Sequence, residues 1–525
     1  MKREAFLGLD VGGTGAKAGV YDLRGRLLGF ARAGYVPQSW IDGRAEIPIG
    51  KIEDAARGAV RRAVRQARAR VLGMSVSSQG QTFVSLDERG RPLHPAILWY
   101  DGRAKEQARR LTERGAPMDS IASAAKILWL RERHPERMKK ARRHLLLPDY
   151  LAFRLTGRAV TDPMTAGTSG LARPDGAAYL PEKLEAAGLR DNQFAEIQWP
   201  GLAIGAVLPE LARAWGLPSG VTLVTGTNDQ LAGALGAGNV APGVLSVTIG
   251  TCLALVTLAE RLPDPPPPGL LSGPFPVRPY RFALPYARTA GVLFDWFQRV
   301  FCPGKGLEEL DRLAARVTPS SFGPVALPDF EGVVSPEPNP WARGAFLNLG
   351  LPHGAAEMFR ALRESVVFAF RENVEFLERL GLRPPVIRVV GGGARSLLML
   401  QLMADVAGRP IEVPVVTEAA TLGAAMLAAT GCRFFGSMAD AAKELSRTGK
   451  TVAPRPEAVA AYAPLFARFL ELRRGVHAME TGRGGSAVAA GSDLPQIAAR
   501  RLRTTTRAPR ARPGGSPRKW RRDRG

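Results

Sequence analysis

The segment Phe6-Leu-Gly-Leu-Asp10-Val-Gly-Gly-Thr-Gly15-Ala-Lys17-Ala-Gly-Val20-Tyr-Asp22 sets the architecture of this chain. Apolar residues lead to Asp10 and read as a buried strand. Gly12, Gly13, Thr14 and Gly15 form a tight turn, and small apolar residues then resume as a second strand to Asp22. Glycines in such a turn carry no Cβ, so backbone N–H groups can approach a phosphate closely. Thr14 adds a hydroxyl, Lys17 a positive charge, and Asp10 a carboxylate of the kind Mg²⁺ prefers. The segment lacks the GxxxxGK[ST] pattern of a P-loop. It also runs from strand to strand, where a dinucleotide fingerprint would open a helix. Taken alone, the same residues also describe a hairpin turn with no ligand.

Outward from this hairpin, Arg26 to Gly34 reads as a third antiparallel strand and Ile49 to Arg70 as a helix. In that helix Ile52, Ala55, Ala56, Ala59, Val60 and Ala63 recur at helical spacing. Val71 to Ser77 is a buried strand leading into Gln79-Gly80-Gln81. Helices follow at 103–111, 123–133, 135–142 and 149–155, then a polar loop from Thr161 to Ser169. The strand Val221 to Thr225 ends at Asp229-Gln230, where a helix begins. Such junctions commonly present functional polar groups, although a carboxylate there also serves as a helix cap.

At Val244 to Val256 the opening pattern returns as strand, Gly250-Thr251 turn, strand. Two such hairpins far apart in the chain predict a duplicated architecture, each half with its own phosphate-facing turn. Leu262 to Pro279 reads as a Pro-rich surface insertion, and Leu327 to Leu349 as irregular. His353 to Leu380 is a long packing helix. The apolar strand Val386 to Val390 runs into Gly391-Gly392-Gly393-Ala394-Arg395, which admits a close ligand at a helix N-terminus. Glu418 to Thr430 is a helix of small residues suited to close packing, and Pro464 to Arg473 is a final helix.

A length of 525 residues calls for roughly two to four domains. No apolar run approaches the ~18 residues of a membrane span, and no signal peptide is read at the N-terminus. Three scattered cysteines form no disulfide framework or CxxC site, which points to a cytoplasmic setting. The net charge of +24 suggests nucleic acid at first sight. Ten Arg or Lys from Arg501 onward account for much of it, however, so nucleic acid is not an expected partner. Gly, Ser, Ala, Pro and Arg dominate 476–525, which reads as a disordered basic tail.

With these motifs in place, the chain over residues 4–475 resembles the FGGY family of carbohydrate kinases. The Leu86 to Arg103 segment, with Asp87, Arg91-Pro-Leu93, Ile97-Leu-Trp99 and Asp101-Gly-Arg103, is similar to the xylulokinase-type pattern. Ser123 to Glu132, with Lys126 and Trp129, resembles the family's first signature, and Val389–Ala407 with Glu418–Ala425 its adenosine motif and second signature. The resemblance implies an α/β fold of two ribonuclease-H-like domains of the actin and hexokinase superfamily flanking an ATP and sugar cleft. Residues 1–240 would be the sugar-binding half, 241–475 the ATP-binding half, and 476–525 the tail.

It further implies Asp229 as catalytic base and Asp10 on Mg²⁺. Gly12, Gly13, Thr14, Lys17, Gly250 and Thr251 would hold the phosphates, and Gly391, Gly392, Ala394 and Arg395 the adenosine. Gln79, Gln81, Trp99, Asp101, Arg103 and Gln230 would meet the sugar. The implied reaction is ATP-dependent phosphorylation of a hydroxyl of a small sugar, a ketopentose such as D-xylulose first. Glycerol, erythritol, ribulose and gluconate are alternatives, because Gly80-Gln81-Thr82 stands where xylulokinases usually carry Met-His-Gly. An ATP-driven switch of the same superfamily would need a peptide-binding domain or polymerisation insertions, and neither is visible. A Rossmann oxidoreductase fails on the strand that follows the first glycine turn. Oligomeric state is left open, a homodimer included.

Overall fold

The computed structural model describes residues 3–40 and 42–489. Its first sheet runs, in spatial order, Ala203–Ala206, Thr222–Val224, Arg70–Ser78, Glu4–Val11, Gly15–Asp22, Leu27–Gly34. Glu4–Val11 lies antiparallel to Gly15–Asp22 and parallel to Arg70–Ser78, which is parallel to Thr222–Val224. The helix Ile49–Ala67 crosses between the antiparallel and parallel parts and buries Ile52, Ala56, Ala59, Val60 and Ala63.

The second sheet repeats this plan. Val244–Ile249 is antiparallel to Leu253–Ala259 and parallel to Val386–Val390, which is parallel to Ile411–Pro414. Arg281–Leu284 continues the antiparallel side, and the crossover is the helix Ala355–Arg379. The duplication expected from the two glycine turns is therefore a duplication of whole sheets. Each half buries its own apolar core.

A third apolar cluster joins the halves and includes Phe6, Tyr21, Leu231, Val256, Phe282, Leu422 and Met426. At its centre the helices Asp229–Gly236 and Ala419–Gly431 cross with backbones in contact. A Cβ on Gly236 would stand 1.9 Å from the Ala419 carbonyl oxygen, and a Cβ on Gly423 would stand 1.9 Å from that of Ala232. Gly8 admits the same helix onto the first sheet, since a Cβ there would lie 1.8 Å from the Thr421 carbonyl oxygen. Gly423 of this helix, and Gly8 and Gly236 opposite it, are required by contacts that no side chain larger than hydrogen allows.

Four expectations change. Thr161 to Ser169 is ordered, with a strand at Val160–Thr161 and a helix at Pro163–Gly167. The Asp162 carboxylate caps that helix, accepting from the Met164 and Thr165 N–H groups. The Pro-rich insertion contains Leu271–Pro274, which pairs with Arg281–Leu284 as an edge strand, a place where proline is tolerated. Ala345–Leu347 pairs with Val325–Leu327 inside the segment read as irregular.

The last helix runs Pro456–Ala489, so the structure does not end at Gly475 and Pro464 sits inside the helix. Packing of Tyr462, Phe466 and Phe469 into the second core offsets what Pro464 costs. Beyond the expected edge, His477 Nε2 lies 3.0 Å from Asp329 Oδ2, beside the buried Arg473–Asp329 pair. The remainder of the expected basic tail, 490–525, lies outside the described residues. No helix among the described residues is long and apolar enough to cross a membrane.

Candidate active site

Asp10 ends the central strand of the first sheet. Its neighbour Ser77, in register on the adjacent parallel strand, donates a hydrogen bond to Asp10 Oδ1 at 3.0 Å. Burial raises the Asp10 carboxyl above its ordinary value, while the charge of Lys17, its cross-strand partner, works the other way. The turn beyond is closed by the Gly12 N–H donating to the Gly15 carbonyl and by the Tyr35 hydroxyl donating to Gly12 O. Its glycines do different work. A Cβ on Gly15 would meet Ala33 O at 2.6 Å, so Gly15 is demanded by the strand beside it. A Cβ on Gly12 would meet only Gly15 O, at 3.8 Å, so packing does not demand this glycine.

Asp229 is the first residue of its helix, and a cap would be the ordinary use of a carboxylate there. Asn228 holds that place instead, its Oδ1 accepting from Gln230 N–H at 3.0 Å. Asp229 Oδ1 accepts from the same N–H at 2.9 Å, so Asp229 shares that task with Asn228. Burial, and then the charge of Asp10, push its carboxyl up to about 7. A backbone bridge between Ser78 and Asn228 brings this helix start to the strand neighbouring Asp10.

Thr14 from the first turn and Ile249, Gly250 and Thr251 from the second line one cleft of about 1170 Å³ with Gly392, Gly393, Arg395 and Ser396. The two turns and the glycine loop after Val386–Val390 therefore meet at one opening. Within the triple glycine, Gly391 adopts φ 79°, and a Cβ on Gly393 would strike Ile249 at 2.5 Å. Conformation and packing account for these two, and Gly392 is the one with room before it. Ala394 is buried in the second core, so its side chain does not face the cleft. Lys17 and Arg395, expected on phosphate and adenosine, both pair with Glu418, at 3.1 and 2.6 Å. Sequence reasoning missed Glu418, although it opens its helix as Asp229 opens the partner helix, and the duplication pointed to it.

On the sugar side the expected residues divide. Both amide atoms of Gln79 and Oε1 of Gln230 are buried without a hydrogen-bond partner. Buried polar atoms in that condition call for a ligand or water. Gln81 is half-buried, and Trp99 stands edge-on to Tyr100 at 5.4 Å. Asp101 and Arg103 are spent on each other. Arg103 Nε and Nη2 donate to the two oxygens of the fully buried Asp101, Nη2 also reaches Glu46, and the guanidinium lies over the Trp129 ring. With the Arg103 side chain 3% exposed, this pair builds the loop and leaves nothing for a sugar. Lys126 completes the support by donating to the Leu98 and Trp99 carbonyls, its burial lowering the amine to about 7.

Comparison with known proteins shows the family of the chain. Residues 5–236 match the FGGY family of carbohydrate kinases, N-terminal domain, and residues 245–432 its C-terminal domain. The chain is 32% identical over 383 residues to a xylulose kinase of Escherichia coli K12, covering 68% of this chain and 75% of that one. It is 28% identical over 491 residues to an autoinducer-2 kinase of the same organism, covering 86% and 91%. The solved xylulose kinase from Rhodospirillum rubrum superposes with a TM-score of 0.78 at 26% identity, covering 91% of this chain and all of that one.

Proposed function

Because the chain belongs to the FGGY family of carbohydrate kinases, we propose that it moves the γ-phosphoryl group of ATP onto a hydroxyl of a small sugar, a ketopentose such as D-xylulose first. The observation that carries the reading is Asp229, buried at the start of its helix and raised to about 7 beside Asp10. A general base works best when its pKa lies near the operating pH.

The acceptor hydroxyl attacks the γ-phosphorus, its proton passes to Asp229, and the new P–O bond forms. The bond from the γ-phosphorus to the β,γ-bridging oxygen breaks, and its electron pair leaves with ADP. Gly12, Gly13 and Thr14 on one side and Gly250 and Thr251 on the other would hold the phosphates. Gln79, Gln81, Trp99 and Gln230 would orient the acceptor. Asp101 and Arg103 act by shaping that wall. Mg²⁺ fits the donors present, because it keeps most of its waters and needs one or two carboxylates. Asp10 carries a single side-chain hydrogen bond, from Ser77. Bound there, the ion would neutralise phosphate charge. The cytoplasm, which supplies ATP and keeps thiols reduced, suits the three free cysteines.

ADP release by the purified protein against ketoses, polyols, aldonates and autoinducer-2 tests the reading. One ketopentose should stand out, and Asp229→Asn should lose at least about 100-fold in kcat. Release with no member of the panel, or an Asp229→Asn enzyme of wild-type rate, would sink it.

A further inference from the structure

Arg288 lies beside the second glycine turn, on a segment that neither glycine turn contains. The short strand Tyr286–Ala287 pairs with Leu253 and Ala254 immediately after the second turn. Three residues on, the Ala290 and Gly291 N–H groups donate to the Thr251 and Gly250 carbonyls at 2.9 and 2.8 Å. The segment between these anchors is thereby stitched along the outside of the Gly250–Thr251–Cys252 turn, and Arg288 is its long side chain. The Thr289 hydroxyl, bonded to Pro328 O, pins the backbone on the other side.

The Arg288 guanidinium is half-buried, and its Nε is closed off from water without a hydrogen-bond partner. A buried guanidinium N–H left unmatched is costly unless something arrives to take it. The side chain also reaches Tyr286. Asp229 and Arg288 act on one and the same thiol, that of Cys252, the first raising it and the second lowering it after burial has pushed it up. Base and guanidinium therefore both lie near Cys252. Lys17 and Arg395, two cations of the expected nucleotide site, are already held by Glu418. Arg288 takes part in no ion pair found among the described residues.

We propose that Arg288 is a catalytic residue that receives the oxygens of the phosphoryl group while it passes between ADP and the acceptor. This rests on the kinase reading above. A planar guanidinium with several donors suits phosphate oxygens. As the β,γ-bridging bond breaks and the acceptor bond forms, negative charge redistributes over the three equatorial oxygens and the bridging oxygen, and a fixed cation beside the turn stabilises that charge. The proton still goes to Asp229 and the electron pair to ADP, so Arg288 needs no change of protonation.

The test measures kcat and KM of wild type, Arg288→Gln and Arg288→Lys with each acceptor the wild type uses, and ADP binding by calorimetry. ADP lacks the moving group. Arg288→Gln should therefore lose about 100-fold or more in kcat with every acceptor. Both KM values and the ADP affinity should stay within about threefold, and Arg288→Lys should recover part of the rate. Thermal unfolding of both variants at the wild-type temperature excludes misfolding as the cause. A kcat within threefold of wild type overturns the proposal. So does a loss confined to acceptors bearing a carboxylate, which would make Arg288 a reader of acid sugars, or a loss of ADP affinity equal to the loss of kcat. A wild type that phosphorylates nothing overturns the kinase reading and this assignment with it, whereas an active wild type indifferent to Arg288 overturns this assignment alone.

Discussion

Asp229 stores free energy as well as directing it. Its folded pKa, about 7, lies above the ~3.9 of an unfolded aspartate. The folded protein therefore loses stability as pH rises from about 4 to about 7, and the loss is complete above 7. Asp229→Asn removes the buried charge. It should be more stable than wild type by a few kcal/mol at pH 8, with the gap closing by pH 4.5, as read from denaturant unfolding at the two values. A gap of equal size at both would contradict the desolvation account. Since the base must be ionised, kcat/KM for the acceptor should fall about tenfold per pH unit below an apparent pKa near 7.

Arg103 predicts the opposite kind of result. Its partners are Asp101, Glu46 and the Trp129 ring, all within the protein. Arg103→Ala leaves Asp101 buried without its countercharge and should cost about 3 kcal/mol in stability. A raised acceptor KM with unchanged stability would return Arg103 to the sugar. Its type and spacing suited a sugar ligand, but whether a guanidinium faces a cleft or a buried carboxylate is decided by Glu46 and Trp129, 57 and 26 residues away.

Among the elements, the crossed helices Asp229–Gly236 and Ala419–Gly431 carry the most consequence. One presents Asp229 at its N-terminus and the other follows Glu418; with Gly236 against Ala419 and Ala232 against Gly423 the two run in opposite directions, so Glu418 lies by the far end of the helix that Asp229 opens. Gly423→Val would drive a side chain into the Ala232 carbonyl and should destabilise by about 3 kcal/mol. Gly250→Ala, where nothing lies within 4 Å of the added Cβ, should leave stability almost unchanged and lower kcat. Unfolding midpoints of the two variants check the contrast. The small-residue run was plain in the sequence. Its partner was not, because a helix of small residues fits any close neighbour equally well.

For the whole molecule, the helix that begins at Pro456 is held on the second half through Arg473 and His477 on Asp329. Hydrogen bonds from these two hold the Asp329 carboxyl below its ordinary value against the burial that raises it. Deletion after Gly475 removes the His477 partner. It should lower stability by about 1–2 kcal/mol, seen as a Tm lower by a few degrees, with kcat intact. A large loss of kcat would show that this helix supports the cleft directly.

From the order of its motifs alone, the chain determined two duplicated sheets, each with a glycine turn after its first strand, and a strand-to-helix junction carrying Asp229. These follow from local rules: burial periodicity, the freedom of glycine, and the chemistry of residues adjacent in sequence. Only the tertiary structure decided which polar groups are spent and which are free. Asn228 and Asp229 share the Gln230 N–H, Asp101 and Arg103 consume each other, Glu418 holds Lys17 and Arg395, and Arg288 keeps an unmatched donor beside the second turn. A polar side chain's role depends on the partner that reaches it first. In a fold built from two halves, that partner often comes from a distant part of the chain.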